Sequence, residues 1–206
     1  MSANPGLSWE NKYASLGFTK IVGLDEAGRG PLAGPVVAAA AFLPPNFRNF
    51  GIKDSKLLTE KERERLFDLF EKSGIVWAVG IVNHRDIDRI NILEASHLAM
   101  RKAIGRLPFQ PDVLLVDGMR LKGVKTQQER IVKGDRKVLS IAAASVAAKV
   151  TRDRIMRIFH EAVPQYNFTK HKGYCTREHV RLLKKHGACW CHRNSFEPVA
   201  SLVGRR

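Results

Sequence analysis

The chain has 206 residues, enough for one domain with a full hydrophobic core or one domain with an appendage. Lys and Arg number 35 against 20 Asp and Glu, a formal net charge of +15 with a pI near 10.1, and a field of that sign favours a polyanionic partner. Composition and patterning argue against a membrane span or a secretory leader. The longest apolar stretch, Pro31 to Pro45, is too short and is broken by Gly34 and Pro35, while Met1 to Lys20 is interrupted by Asn, Glu, Lys and Ser.

In chain order, Ile21–Glu26 and Val36–Leu43 read as two strands joined by a glycine-rich turn, and Ile75–Val82 as a third. Thr59 with Glu62 makes a capping box that opens a helix carrying Leu66, Phe67, Leu69 and Phe70. Ile92 to Ile104 is expected to be helical, with Leu93, Leu98 and Ile104 facing the core. Val113 to Val116 is wholly apolar and ends in Asp117-Gly118, the pattern of a buried strand with an acid at its C-terminal end. Leu139 to Phe159 reads as one long helix whose Ala-rich first half can pack closely on a sheet, and Thr176 caps a last helix that Gly187 stops. Alternation of this kind predicts an α/β domain with a mixed sheet.

The acids carry the chemistry. Asp25 and Glu26 end the first strand and open the turn Ala27-Gly28-Arg29-Gly30. Neighbouring strand residues point to opposite faces, so at most one of the two carboxylates enters the core face. Burial without a cation costs several kcal/mol, and a divalent metal suits an all-oxygen site. Glycines let backbone approach a ligand, and the Arg29 guanidinium matches phosphate. The plainer reading of the same residues is a capped strand end with a solvated acid pair. Asp117 ends its strand as Asp25 does, and two such ends can lie side by side; alternatively it is a turn acid before glycine. Asp153 sits among Lys149, Arg152 and Arg154, where a surface ion pair is the simpler explanation. Asp112 and Asp135 flank turns and stay open as ligands on spacing alone.

The basic excess is concentrated late: Pro164 to Arg206 holds nine Lys or Arg against two acids, a net of +7. Pro164 to Thr169 is the expected boundary between a compact domain (1–163) and a basic helical region (164–206) that contributes to substrate binding. Cys175, Cys189 and Cys191 are odd in number and clustered, which is no disulfide framework, and a reduced cytoplasmic compartment is expected. Cys189-x-Cys191-His192, with His186 nearby, only faintly resembles zinc spacing, and without a second cysteine pair a structural zinc is not expected.

Six ordered blocks between Ile21 and Val199 resemble bacterial members of the type 2 ribonuclease H family, the ribonucleases HII. They are Asp25 to Val36; Asp54-Ser55-Lys56; Val116-Asp117-Gly118; Lys133-Gly134-Asp135; Ser140 to Ser145 with Ala148 to Asp153; and His171-Lys172-Gly173-Tyr174 with Thr176. The resemblance implies a ribonuclease H-like fold, a mixed five-stranded sheet flanked by helices with a small helical C-terminal region. It implies an endonuclease that cuts RNA in RNA–DNA hybrids and at single ribonucleotides embedded in duplex DNA. Catalytic and metal-binding roles then fall on Asp25, Glu26, Asp117 and Asp153, with Mg²⁺ or Mn²⁺ as cofactor, two ions per site roughly 3.5–4 Å apart. Products would carry 5′-phosphate and 3′-hydroxyl ends. Substrate contacts are expected from Gly28 and Gly30 to the 2′-hydroxyl, from Arg29, Lys56, His171 and Lys172 to phosphate, and from Tyr174 to the sugar at the RNA-to-DNA junction. A monomer without a membrane partner is expected. Two other classes remain: a binding module that holds hybrid without cutting it, and a two-metal nuclease for another substrate such as branched DNA.

Overall fold

Two buried apolar runs begin the sheet. In the computed structural model, which describes residues 4 to 204, β1 (Ile21–Ala27) pairs antiparallel with β2 (Val36–Phe42), and β3 (Val76–Val82) pairs antiparallel with the far edge of β2. On the other side β4 (Val113–Asp117) runs parallel to β1, and β5 (Gln127–Ile131) parallel to β4. The order β3-β2-β1-β4-β5 is the mixed five-stranded sheet that the resemblance implied. No helix among the described residues is long and apolar enough to cross a membrane.

The sheet is covered on both faces, which is why its central strands read as continuous apolar runs. Ala39 and Ala41 of β2 pack with α4 (Leu139–Ala162), whereas Ala38 and Ala40 pack with α3 (His84–Ile104). Small side chains let both helices approach closely, and at Gly23 the approach is closest. A Cβ there would lie 2.2 Å from the Ser140 carbonyl carbon and 2.3 Å from the Ile141 nitrogen, at the start of α4. Gly23→Ala is therefore expected to lower the unfolding free energy by about 3 kcal/mol, the upper end of ordinary overpacking, read as a fall in the urea midpoint at unchanged slope. At Gly30 a Cβ meets nothing within 4 Å, so Gly30→Ala is the control; equal midpoints would remove the packing argument.

Several helices depart from expectation, each for a local reason. A helix absent from the sequence reading, α1 (Ser8–Ser15), brings Glu10 under the sheet, where its Oε1 accepts a 2.8 Å hydrogen bond from the Ser140 N–H. Val138 offers α4 no side-chain cap, so a carboxylate distant in sequence serves one of its free N–H groups and complements its dipole. Burial pushes the Glu10 carboxyl up, against the lowering effect of that bond. The capping box at Thr59 and Glu62 forms as expected and opens α2 (Glu60–Asp68). Helix α3 starts at His84, eight residues earlier than read. It is broken at Asn91, in the left-handed region at φ 66°, whose side chain accepts from the Leu93 and Glu94 N–H groups and caps the second half. The core face of α3 is Ala95, Ala99, Met100 and Ala103, while Leu93, expected inside, is exposed.

After α4 a single 3₁₀ turn leads into α5 (Phe168–His171) and then α6 (Arg177–His186), capped by Thr176 and stopped at Gly187 as read; a short α7 (Val199–Val203) follows. The expected boundary at Pro164 to Thr169 is no loose linker. Tyr166 and Phe168 are buried with Met156 of α4 and Ala33 of the turn after β1. The Leu32 N–H donates to the Gly173 carbonyl and the Gly34 N–H to that of Cys191. Arg205 and Arg206, the last two charges of the basic region, lie outside the described residues.

Two fully buried arginines complete this join. Arg152 of α4 donates to the carbonyls of Pro35, Ala33 and Lys172, and Arg193 to those of Gly34, Arg29 and Gly28, at 2.6–3.0 Å. Each guanidinium is satisfied by backbone dipoles in a fork that lysine could not reproduce. Burial pushes the Arg193 pKa down to about 9, which still leaves it charged at neutral pH. The glycine turn is thus held from both ends of the chain.

Candidate active site

Parallel pairing of β1 and β4 gathers the acids. Leu24 is in register with Val116, so Asp25 and Asp117 are the next residues on adjacent strands that end at the same edge. Asp25 lies on the α4 side and is buried; its Oδ1 accepts the Glu26 N–H at 2.8 Å. Asp117 Oδ1 accepts the Gly134 N–H at 2.7 Å. The two acids line one cleft of about 260 Å³ with Glu26, Gly28, Arg29, Gly30, Lys56 and Tyr174. Helix α4 adds Ser145 and Lys149 to its wall, and the Ser145 hydroxyl lies 2.9 Å from that of Ser55.

Electrostatically the three carboxylates of the cleft press on one another, and Arg29 and Lys56 offset this only in part. Burial, then Glu26, then Asp117 raise the Asp25 carboxyl well above the usual range. Glu26 is raised by burial, with partial relief from Arg29 at 3.4 Å, and its Oε2 is buried with no hydrogen-bond partner among the described residues. Asp117 is raised by burial, opposed by its bond to Gly134. An orphaned carboxylate oxygen beside two like charges is the donor set of a hard divalent cation, so the residues present fit such an ion.

The structure treats the remaining expected site residues unequally. Asp153 is buried one turn along α4 from Lys149, whose Nζ lies at 2.7 Å, with Arg63 Nη2 at 3.6 Å. Arg63 also donates to the Ser55 and Leu58 carbonyls, so Asp153 orients Lys149 and the segment that carries Lys56. Asp135, left open in the sequence, is buried in a 3₁₀ turn behind Asp117. Its Oδ2 is 3.3 Å from Lys56 Nζ, and its charge contributes to the raised Asp117 pKa. The signal for it was Lys133-Gly134-Asp135: a Cβ at Gly134 would lie 3.3 Å from Asp117 Oδ1.

Tyr174, 40% exposed, reaches the cleft with its ring near Lys149 Nζ at 5.7 Å and the Arg152 guanidinium at 5.6 Å. His171 and Lys172, expected on phosphate, turn inward instead. His171 Nε2 donates to the Tyr166 carbonyl at 2.7 Å, its Nδ1 accepts the Gly173 N–H, and the ring stacks on His179. Lys172, at φ 50°, is buried with Nζ bonded to the Thr169 carbonyl and to Glu60. The left-handed turn through Lys172 and Gly173 sends Tyr174 to the cleft and turns His171 and Lys172 into the core.

A mixed sheet of this order, with carboxylates gathered at the ends of its central parallel strands, defines a ribonuclease H-like, metal-dependent hydrolase. The profile of the family described as ribonuclease HII matches residues 22–199. The chain belongs to the ribonuclease HII family, and it is an endoribonuclease. It is 50% identical to the ribonuclease HII of Acetivibrio thermocellus over 188 residues, which cover 91% of this chain and 73% of that one. Among solved structures it is similar to the ribonuclease H2 of Pyrococcus horikoshii, with a TM-score of 0.73 at 28% identity over 91% of this chain and 98% of that one. A Bst ribonuclease HIII solved in complex with Mn²⁺ shares the fold at 19% identity, with a TM-score of 0.65, over 94% of this chain and 73% of that one.

Proposed function

We propose that this enzyme cleaves RNA in RNA–DNA hybrids and at single ribonucleotides embedded in duplex DNA, with two divalent ions held by Asp25, Glu26, Asp117 and Asp135. The observation that carries the reading is the cleft itself, where carboxylates with raised pKa face Tyr174 and the open backbone of Gly28-Arg29-Gly30. Asp135 takes the fourth place because its charge acts on Asp117, whereas Asp153 is already neutralised by two cations. Mg²⁺ or Mn²⁺ suits these oxygen donors, and when bound supplies an activated water and neutralises charge at the departing 3′ oxygen. Arg29 and Lys56, both with exposed ends, neutralise phosphates flanking the cut. Gly30 offers backbone to the 2′-hydroxyl, and Tyr174 packs against the sugar. We infer a monomer in the cytoplasm, where three cysteines too few and too clustered for a disulfide framework stay reduced.

The test uses one sequence in three duplexes: all DNA, one embedded ribonucleotide, and RNA–DNA hybrid, each with Mg²⁺. Cutting of the two ribose-containing duplexes alone, leaving 5′-phosphate and 3′-hydroxyl ends, is expected. Binding of hybrid without cutting would establish the binding-module alternative, and cutting of all-DNA or branched DNA the other. On the same substrates Tyr174→Ala is expected to lower kcat/KM by roughly 10–100-fold, the scale of an aromatic platform for one nucleotide. The loss should be heavier on the single ribonucleotide, with Tyr174→Phe between. Equal losses on both substrates would assign Tyr174 to the fold alone.

A further inference from the structure

Beyond the cleft, one group of side chains is arranged for chemistry that the proposed cleavage does not use. After α6 the chain turns so that Cys189, Cys191 and His192 converge. Cys189 Sγ lies 3.3 Å from Cys191 Sγ and 3.1 Å from His192 Nδ1, and the three candidate ligand atoms all fall within 4.8 Å of one another. Cys191 and His192 are buried, and Cys189 opens on a separate cavity of about 600 Å³ walled also by His186 and Trp190.

The protonation of His192 follows from its partners. Its Nδ1 accepts the Cys189 N–H at 3.0 Å and so carries a lone pair, which places the ring proton on Nε2. That Nε2 faces His179 Nε2 at 3.0 Å. His179 Nδ1 donates to the Tyr174 carbonyl at 2.9 Å, so its own Nε2 is free to accept. His192 thus presents a lone pair to the two sulfurs while its other nitrogen is fixed by a buried acceptor, the arrangement that orients and strengthens a metal-ligating imidazole.

We propose that Cys189, Cys191 and His192 bind one Zn²⁺, with a water from the 600 Å³ cavity as fourth ligand. On binding, both thiols release their protons to solvent, and the ion takes the single Nδ1 lone pair that now accepts from Cys189, so the Cys189 N–H bond to His192 is given up. Two thiolates and an imidazole select this softer ion over Mg²⁺, which the all-oxygen cleft suits. The site has a structural consequence at the cleft. His192 immediately precedes Arg193, which holds the carbonyls of Gly28, Arg29 and Gly34, and Ala33 forms a β-bridge with His192. The ion would tie down the segment that fixes the glycine turn.

The test is Co²⁺ and Zn²⁺ loading of the full chain in reducing buffer with excess Mg²⁺. Co²⁺ is expected to give a near-ultraviolet thiolate-to-cobalt charge-transfer band saturating at about one equivalent, which carboxylates in the cleft cannot produce. Cys189→Ser and Cys191→Ser should each cut the band at least about five-fold, and Cys175→Ser should leave it intact. Zn²⁺ should raise the Tm by roughly 5–10 °C when free metal stands near 100 times Kd. In the unaltered chain Zn²⁺ should shield Cys189 from iodoacetamide while Cys175 stays reactive, which keeps the test valid if a variant fails to fold. No charge-transfer band, one that survives both serine variants, or alkylation of Cys189 unaffected by Zn²⁺ would overturn the proposal.

Discussion

Replacing Asp25 with asparagine is expected to abolish cleavage, by at least roughly 10³-fold at saturating Mg²⁺, while making the metal-free protein more stable at neutral pH. The two effects share one cause. Burial, then the neighbouring charges of Glu26 and Asp117, hold the Asp25 carboxyl well above the usual carboxylate range. A group whose folded pKa is raised contributes stability that is complete below its unfolded pKa and is lost as pH rises through its folded pKa. In EDTA the native enzyme should therefore lose stability from about pH 4 upward. The amide keeps the oxygen that accepts the Glu26 N–H but removes the charge, so this part of the pH dependence should vanish. With Mg²⁺ the order should reverse, because only the native site gains from the ion. Hybrid binding should change little, since affinity rests on the +15 surface and catalysis on the acids. Thermal denaturation of both proteins across pH, in EDTA and in Mg²⁺, checks this. A variant less stable than the native enzyme at pH 7 in EDTA would mean that the carboxylate is satisfied by the protein itself.

What could be read in advance follows burial. Strands β1, β2 and β4 are apolar because helices cover both faces, and their runs announced them. Strand β5, Gln127-Gln128-Glu129-Arg130-Ile131, is an edge strand with two exposed positions and so carries no hydrophobic period. Helix α1 and the first half of α3 are short and polar, and tertiary partners define them: Glu10 through Ser140, and the break through Asn91. At the cleft, Asp25 and Asp117 were legible because each ends an apolar run, and parallel register brings such ends together. The orientation of Asp153, His171 and Lys172 was not. An acid on a basic helix reads alike whether it faces a cleft or the Lys149 four residues before it. In His171-Lys172-Gly173-Tyr174 the sequence does not tell which side chains turn inward, because a left-handed turn at Lys172 decides it.

That ambiguity gives the sharpest comparison, Asp135→Asn against Asp153→Asn. Asp135→Asn removes a charge that acts on Asp117 and an ion pair to Lys56, whose side chain is 76% exposed. An ion pair with so exposed a partner contributes little to stability, so the fold should tolerate the change while cleavage falls by at least roughly 10²-fold, the loss of one oxygen donor to the ions. Asp153→Asn acts the other way. Its side chain is 2% exposed between Lys149 and Arg63, at 21% and 12%, and the change leaves two largely buried cations short of a counter-charge. Breaking such a buried arrangement costs about 3–5 kcal/mol, or a Tm lower by on the order of 10 °C for a chain of this length. Cleavage by the folded fraction should stay within about tenfold of the native rate, because the amide oxygen still accepts from Lys149. The decisive measurement is the single-turnover rate on hybrid at saturating Mn²⁺, taken well below each variant's Tm. If Asp153→Asn lost cleavage with its fold intact while Asp135→Asn kept it, the fourth carboxylate would be the one on α4, and Lys149 would have to leave it when the ions bind.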